Sequence, residues 1–360
     1  MDYGNYETLI GLVEHYSPSG QESGAVGWLL ERMQALGFTH TREDEAGNAV
    51  GTLGTDGNQI VLLGHIDTVP GEIPTRLQTT EGGDTSFYGR GTVDAKGPLA
   101  AFVEAAAQLG SIPGVQLVVI GAVDEERQSL GARYLLDKYR PAYAIIGEPS
   151  QWDRVTLGYK GSAWVEVRVH RELAHTAGGS ASAPEIAVGI WQQIQDWART
   201  MNTGRGRIFE QVTPTLRGFS SHQGSFEETA TLQIGARLPQ GLDPAEWVHQ
   251  IQELASAGGA VATPTGFPIP AYRAERRSPL VRAFLGSIRD AGGKPGFVVK
   301  TGTADLNIVA PAWGCPAVAY GPGDSSLDHT PDEHILLEDY RQAVLVLKGV
   351  LQRLADRLTS

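Results

Sequence analysis

One cysteine, three methionines and no long apolar run in 360 residues remove several classes of protein at the outset. A lone Cys315 cannot close an intramolecular disulfide, so nothing points to an oxidising compartment. No stretch approaches the roughly 20 apolar residues of a membrane span, and the N-terminal MDYGNYETLIGLVEHYSPSG lacks a basic segment followed by an apolar run. The expected location is therefore cytoplasmic. Basic residues are outnumbered by acidic ones, giving a formal net charge of −12. That balance opposes a general role in coating nucleic acid or anionic membrane. No nucleophile elbow is present, and Cys315 precedes a proline with no local partner, which disfavours a serine or cysteine hydrolase. Internal repeats and low-complexity tracts are also missing.

What is present in the first half is an alternation of apolar runs and helical patterns: QIVLLGHID, PLAAFVEAAAQLG, VQLVVIGAVDEE, SLGARYLLDKYR and YAIIGEPS. This predicts an α/β domain with a mixed, largely parallel sheet flanked by helices, whose ligands sit beyond the carboxyl ends of the strands. Near GYKG the pattern changes. AWVEVRVH alternates, placing Trp164, Glu166, Arg168 and His170 on one face, as in an antiparallel sheet covered on one side. PEIAVGIWQQIQDWARTM and DPAEWVHQIQELAS read as amphipathic helices, and TATLQIGARLP as a further strand. An inserted α+β domain over 161–271, an antiparallel sheet plus two helices, is expected. The discontinuous first domain takes 1–160 and 272–360, with FPIPAYRAERRSPL as the returning linker and a helix from Pro279.

Five residues at the predicted strand ends or in polar loops have metal-ligand chemistry: His65, Asp94, Glu126, Glu148 and His329. Two imidazoles with three carboxylates can hold two divalent ions when one carboxylate is shared, and Asp94 is best placed to bridge. Each residue alone has an ordinary structural reading. Asp94 in GRGTVDAKG could be a helix N-cap. The adjacent Glu125 and Glu126 could merely favour a helix dipole. His65 and Asp67 in GHIDTVPG lie two apart, so in extended chain they share a side, and Asp67 could orient a ligating His65. After a strand, Glu125 and Glu126 point different ways, so that one could bind metal while the other serves as base towards water. His334 offers a competing imidazole in the same loop as His329. We prefer His329.

Together with SPSGQE, DEE, GEPS, AHTAG, GTAD and DHTPDEHI, these motifs resemble, over nearly the whole chain, the dinuclear zinc metallopeptidases of the aminoacylase and carboxypeptidase type. That family includes acetylornithine deacetylase, succinyl-diaminopimelate desuccinylase and related dipeptidases. The resemblance implies His65, Asp94 and Glu148 on one ion, Asp94, Glu126 and His329 on the other, Glu125 as general base and Asp67 orienting His65. It implies two divalent ions, Zn2+ first and Co2+ or Mn2+ as alternatives, and a cis peptide between Asp94 and Ala95. It also implies that 161–271 is a lid and dimerisation domain. There His175 would stabilise an oxyanion, and Arg237 would grip a substrate carboxylate, with Gly302 and Thr303 lining the pocket. The chain departs from the family where many relatives carry a lid asparagine, reading GFSSHQGSFEET, with His222 a possible substitute.

Within that family the compact length, together with TGTADLNIVAPAWGCPAVAYGPGDSSLDHTPDEHI, looks most like the hydrolases that release lysine or ornithine from an acidic amino-group carrier protein (LysW) in lysine and arginine biosynthesis. A carrier of that kind calls for basic segments, which Arg199, Arg205, Arg207 and Arg217, and Arg273, Arg276, Arg277 and Arg282, could supply. Deacylation of free acetylornithine, acetyl-lysine or succinyl-diaminopimelate, dipeptide hydrolysis, and metal binding without turnover are the alternatives.

Overall fold

A computed structural model describes residues 6–173, 175 and 178–360. Part of the AHTAG motif, Ala174, Thr176 and Ala177, lies outside the described residues. The chain forms two compact units: Met1–Gly158 with Ala274–Val299 and Ala304–Ser360, and Tyr159–Arg273 with Lys300–Thr303.

The first unit is built on the apolar runs. Asn58–His65, Val115–Ala122 and Tyr143–Gly147 are buried almost end to end, as strands covered on both faces must be. Asn58–His65 pairs in parallel with both of the others, and Tyr143–Gly147 pairs in parallel with Ala317–Tyr320. Antiparallel neighbours complete the sheet: Ala49–Leu53 against Val115–Ala122, His40–Glu43 beyond it, and Arg154–Tyr159 against Ala317–Tyr320. Register fixes the functional end. Gly64 aligns with Gly121 on one side and Gly147 on the other, and His65 aligns with Ala122. The residues that follow these strands therefore leave the sheet at a common edge.

The helix Lys96–Leu109 is buried over its first eleven residues and packs against the long C-terminal helix Leu337–Thr359, which also meets Pro279–Asp290. A separate ribbon of Arg76–Thr79, Thr85–Tyr88 and His334–Leu336 was not legible in the sequence. Two expectations need correction. SLGARYLLDKYR is not one helix but a five-residue turn of α-helix, Leu130–Tyr134, continued by the 3-10 turn Leu135–Asp137; Pro141 follows closely and limits its extension. The expected linker is strand at its start, since Phe267–Ile269 ends the strand Ala260–Ile269.

In the second unit the antiparallel order is Thr213–Gln223, Glu227–Leu238, Gly161–Glu172, Ala260–Ile269. Alternation in Gly161–Glu172 puts Val165, Val167 and Val169 inward, where they join Ile190 and Ile194 of helix Ala183–Met201 and Trp247 and Ile251 of helix Pro244–Ala257. Both helices start on strong stops: Ser182 with Glu185 as a capping box, and Asp243 accepting from Ala245 N ahead of Pro244. Thr303 belongs to this unit, where Arg237 Nη1 donates to its Oγ1 at 3.0 Å.

Candidate metal centre

Strand ends of the first unit carry the chemistry. His65 closes the strand Asn58–His65 and is almost completely buried. Its Nδ1 lies 3.0 Å from the Asp67 main-chain oxygen, which fixes that nitrogen as an N–H donor and directs Nε2 away from it, towards Asp94. Nε2 sits 3.2 Å from Asp94 Oδ1. The Asp67 carboxylate is farther from Nδ1, at 3.5 Å. That carboxylate is instead filled by the DEE turn: Oδ1 accepts from Glu125 N and Oδ2 from Glu126 N, each at 3.1 Å, and Ser19 Oγ donates to Oδ2 at 2.7 Å. Asp67 thus ties the first strand's end to the second's, a wider task than orienting one imidazole.

Glu125 and Glu126 lie in a turn rather than at a helix start, so helix-dipole pairing does not explain them. Asn48 braces this turn from behind, its Oδ1 accepting from Val123 N at 3.0 Å and its Nδ2 donating to Gly131 O at 3.2 Å. Asp94 is not a cap either, for helix Lys96–Leu109 has no side-chain N-cap bond. The Asp94–Ala95 peptide is cis. Asp94 Oδ2 lies 3.0 Å from His329 Nε2, which is also 3.1 Å from Glu126 Oε1. Donor atoms of His65, Asp94 and Glu126 all fall within 4.8 Å of one another. His334 is engaged elsewhere, stacked on Tyr88 with ring centroids 4.5 Å apart and with Nδ1 2.7 Å from Asp332 O. Glu148 follows the neighbouring strand, is buried, and acts electrostatically on Glu125.

The charges are unbalanced. Asp67, Asp94, Glu125, Glu126, Glu148 and Asp305 crowd two histidines. Burial pushes Glu125 well above the ordinary carboxylate range, with Asp305, Glu148 and Glu126 adding to the effect and His65 opposing it. Burial also raises Asp305 to about 6. Burial opposes charge on His65, yet Asp67 and Asp94 outweigh it and hold its pKa well above normal. Hydrogen bonds donated to Asp94 and then Glu126 lift His329 to about 10. Burial works against ionisation of Asp94, but His329 and His65 hold its pKa far below the usual value. Imidazole and carboxylate donors converging with surplus negative charge fit divalent cations, and a cation there would reverse the local sign.

The other expected residues lie in the second unit. His175 is exposed, its carbonyl accepting from Gly178 N at 2.8 Å. Arg237 and Thr303 are joined as noted, with Gly302 next to them. His222 is exposed near the end of the strand Thr213–Gln223. Several of the basic residues already have partners: Arg205 Nη1 donates to Glu210 O, Arg282 Nη1 to Arg277 O, and Arg276 lies over the Phe297 ring. Sequence reasoning gave no role to Ser19, although SPSGQE was a recognisable motif, and none to Asn48, for which no signal was available.

This sheet, with imidazole and carboxylate groups gathered at its carboxyl edge, is that of a metallopeptidase, and the chain belongs to peptidase family M20/M25/M40, matching it over residues 61–353. Over 94% of its length the chain is 43% identical to the [LysW]-lysine hydrolase of Deinococcus radiodurans, covering 93% of that protein. It is 40% identical to a putative [LysW]-lysine/[LysW]-ornithine hydrolase of Thermococcus kodakarensis, with 97% of this chain and 91% of the relative covered. Among solved structures, a tripeptidase of Staphylococcus aureus superposes with a TM-score of 0.79 at 21% identity, covering 97% of both chains. The M20 family metallo-carboxypeptidase Sso-CP2 of Sulfolobus solfataricus gives 0.78 at 18% identity, with 99% and 100% covered. These two show the shared fold.

Proposed function

We propose that this protein is a metal-dependent amide hydrolase that releases lysine, and/or ornithine, from the C-terminal glutamate of the acidic amino-group carrier protein LysW. The observation that carries the chemistry is the meeting of His65, Asp94, Glu126 and His329 at the sheet's carboxyl edge. The choice of substrate rests on the likeness to the Deinococcus hydrolase, which extends over 94% of the chain.

His65, Asp94 and Glu148 would hold one divalent ion and Asp94, Glu126 and His329 the other, with Zn2+ suited to this nitrogen and oxygen set. Bound there, the ions supply Lewis-acid polarisation of the carbonyl and a more acidic water. Glu125 takes the proton of the attacking water and returns it to the leaving α-amino group, so that the amide becomes a carboxylate and an amine. Asp67 fixes the geometry by holding the Glu125 and Glu126 N–H groups and keeping His65 in the Nε2-ligating tautomer. His175 donates to the developing oxyanion, Arg237 binds a substrate carboxylate beside Thr303 and Gly302, and the unit Tyr159–Arg273 serves as lid and dimerisation domain. Among the described residues no helix is long and apolar enough to cross a membrane. With its single cysteine, this agrees with action in the cytoplasm.

The test is turnover of purified, metal-loaded protein on carrier-linked lysine, carrier-linked ornithine, acetyl-lysine and acetylornithine. Preference for the carrier-linked compounds is expected. Equal or faster hydrolysis of the acetylated amino acids would transfer the assignment to a small-molecule deacylase.

A further inference from the structure

Glu333 is completely buried, yet belongs to none of the ligand or catalytic sets above. Its Oε1 accepts from the main-chain N–H groups of Gly91, Val93 and Asp94 at 3.0, 2.9 and 3.1 Å, and its Oε2 accepts from Arg90 Nη1 at 2.7 Å. Arg90 is fixed in turn, its Nε donating to Gly71 O at 2.9 Å. Converging main-chain N–H groups backed by a guanidinium form an anion nest, here filled by the chain's own carboxylate.

Ribbon geometry explains why this carboxylate arrives there. Thr85–Tyr88 pairs antiparallel with His334–Leu336, His334 opposite Tyr88. The turn leaving the first strand, which ends in Asp94, and the loop entering the second, which contains His329, therefore share one end. Gly89 N also donates to Glu333 O at 3.3 Å. Glu333 bonds the Asp94 turn from a position four residues beyond His329, and the two imidazole and carboxylate groups face each other at 3.0 Å.

We propose that Glu333 is a positioning residue whose carboxylate locks the Asp94 turn to the His329 loop and so sets the spacing across which Asp94, Glu126 and His329 hold an ion. It rests on the two-ion reading of the site.

The experiment is a Zn2+ competition titration against a chromophoric chelator at 25 °C, with apo melting temperature and steady-state kinetics alongside. Wild type is expected to bind two ions per chain. Glu333→Gln keeps the size and one accepting oxygen but turns an amide N–H2 towards Arg90. It should bind one ion about 10- to 100-fold more weakly, the usual scale for losing a group behind a ligand, and lower kcat with little change in KM. Arg90→Lys keeps the charge but loses the fork, and should weaken the same ion by about tenfold. A fold anchor alone would lower the melting temperature and leave the affinity alone. Wild-type affinity within about twofold in whichever variant folds overturns the proposal, and so does failure of both to fold. A wild type that binds no ion, indistinguishable from His65→Ala, would sink the metal site itself.

Discussion

The two units hold their functional side chains in opposite ways. In the first, His65 and Asp67 are buried and Asp94 is half-buried, all three cross-bonded, with Asp67 alone accepting from Ser19 and from two main-chain N–H groups of the DEE turn. In the second, His175 is exposed and Arg237 is held by Thr303. Groups that must bind cations in fixed geometry need a preorganised shell, because a displacement of about 1 Å can cost two orders of magnitude in rate. Groups that meet a substrate can be ordered by it. Perturbing the first unit should therefore change metal affinity and kcat, whereas perturbing the carboxylate grip of Arg237 in the second should change KM.

Metal removal is the severest break. Dialysis against a chelator is expected to abolish turnover, and Zn2+ or Co2+ to restore it. In the metal-free protein His329 has its pKa raised to about 10 by Asp94 and Glu126, so it carries a proton at neutral pH. The stabilisation from that charge is fully present below the ordinary histidine value and is lost as pH rises through about 10. Metal must displace the proton, so affinity should rise with pH between about 6.5 and 10, by about tenfold per unit for each proton released. Calorimetry in buffers of different ionisation enthalpy counts those protons. A pH-independent affinity would mean that His329 is not a ligand.

Next comes the base. Glu125→Gln should lower kcat by about 10²- to 10⁴-fold, the range for a positioned proton carrier, while metal content by mass spectrometry stays at the wild-type value. Activity within about tenfold of wild type would reassign the base. Asp67→Asn leaves one accepting oxygen for the DEE turn and weakens the charge on His65. Its expected cost is about 10- to 100-fold in metal affinity or kcat. An effect confined to KM would contradict the contrast drawn above, since Asp67 belongs wholly to the first unit.

The contrast also explains what the sequence could disclose. The strands that carry His65 and Glu148 are continuous apolar runs, VLLGH and YAIIG, whose burial and parallel pairing follow from composition alone, and the helices Ala183–Met201 and Pro244–Ala257 follow from period and cap. The ribbon Arg76–Thr79, Thr85–Tyr88, His334–Leu336 is short, partly exposed and joined across some 250 residues of chain, so no local period marks it. Glu333 was unreadable for the same reason. One more acid in DHTPDEHI becomes distinctive only when the Asp94 turn folds over it. Asp94 itself needed the structure to set the cap reading aside, because a carboxylate just before a helix looks the same whether or not it caps.

Arg237 gives the smallest effect and the sharpest check on the second unit. Its Nη1 already donates to Thr303 Oγ1 at 3.0 Å, so the guanidinium is aimed before any substrate arrives, and a planar fork can meet a carboxylate with two parallel hydrogen bonds. Lysine at this position keeps the charge but offers a single rotating ammonium. Arg237→Lys should raise KM for carrier-linked lysine by about tenfold, the equivalent of one charge-assisted hydrogen bond of about 1.4 kcal/mol, with metal content and kcat little changed. Thr303→Val, which removes the aiming hydroxyl and leaves the guanidinium, should move KM in the same direction by less. If either variant lost metal instead, the strand Glu227–Leu238 would be supporting the first unit's metal-binding residues, and the assignment of Arg237 to substrate binding would have to be abandoned.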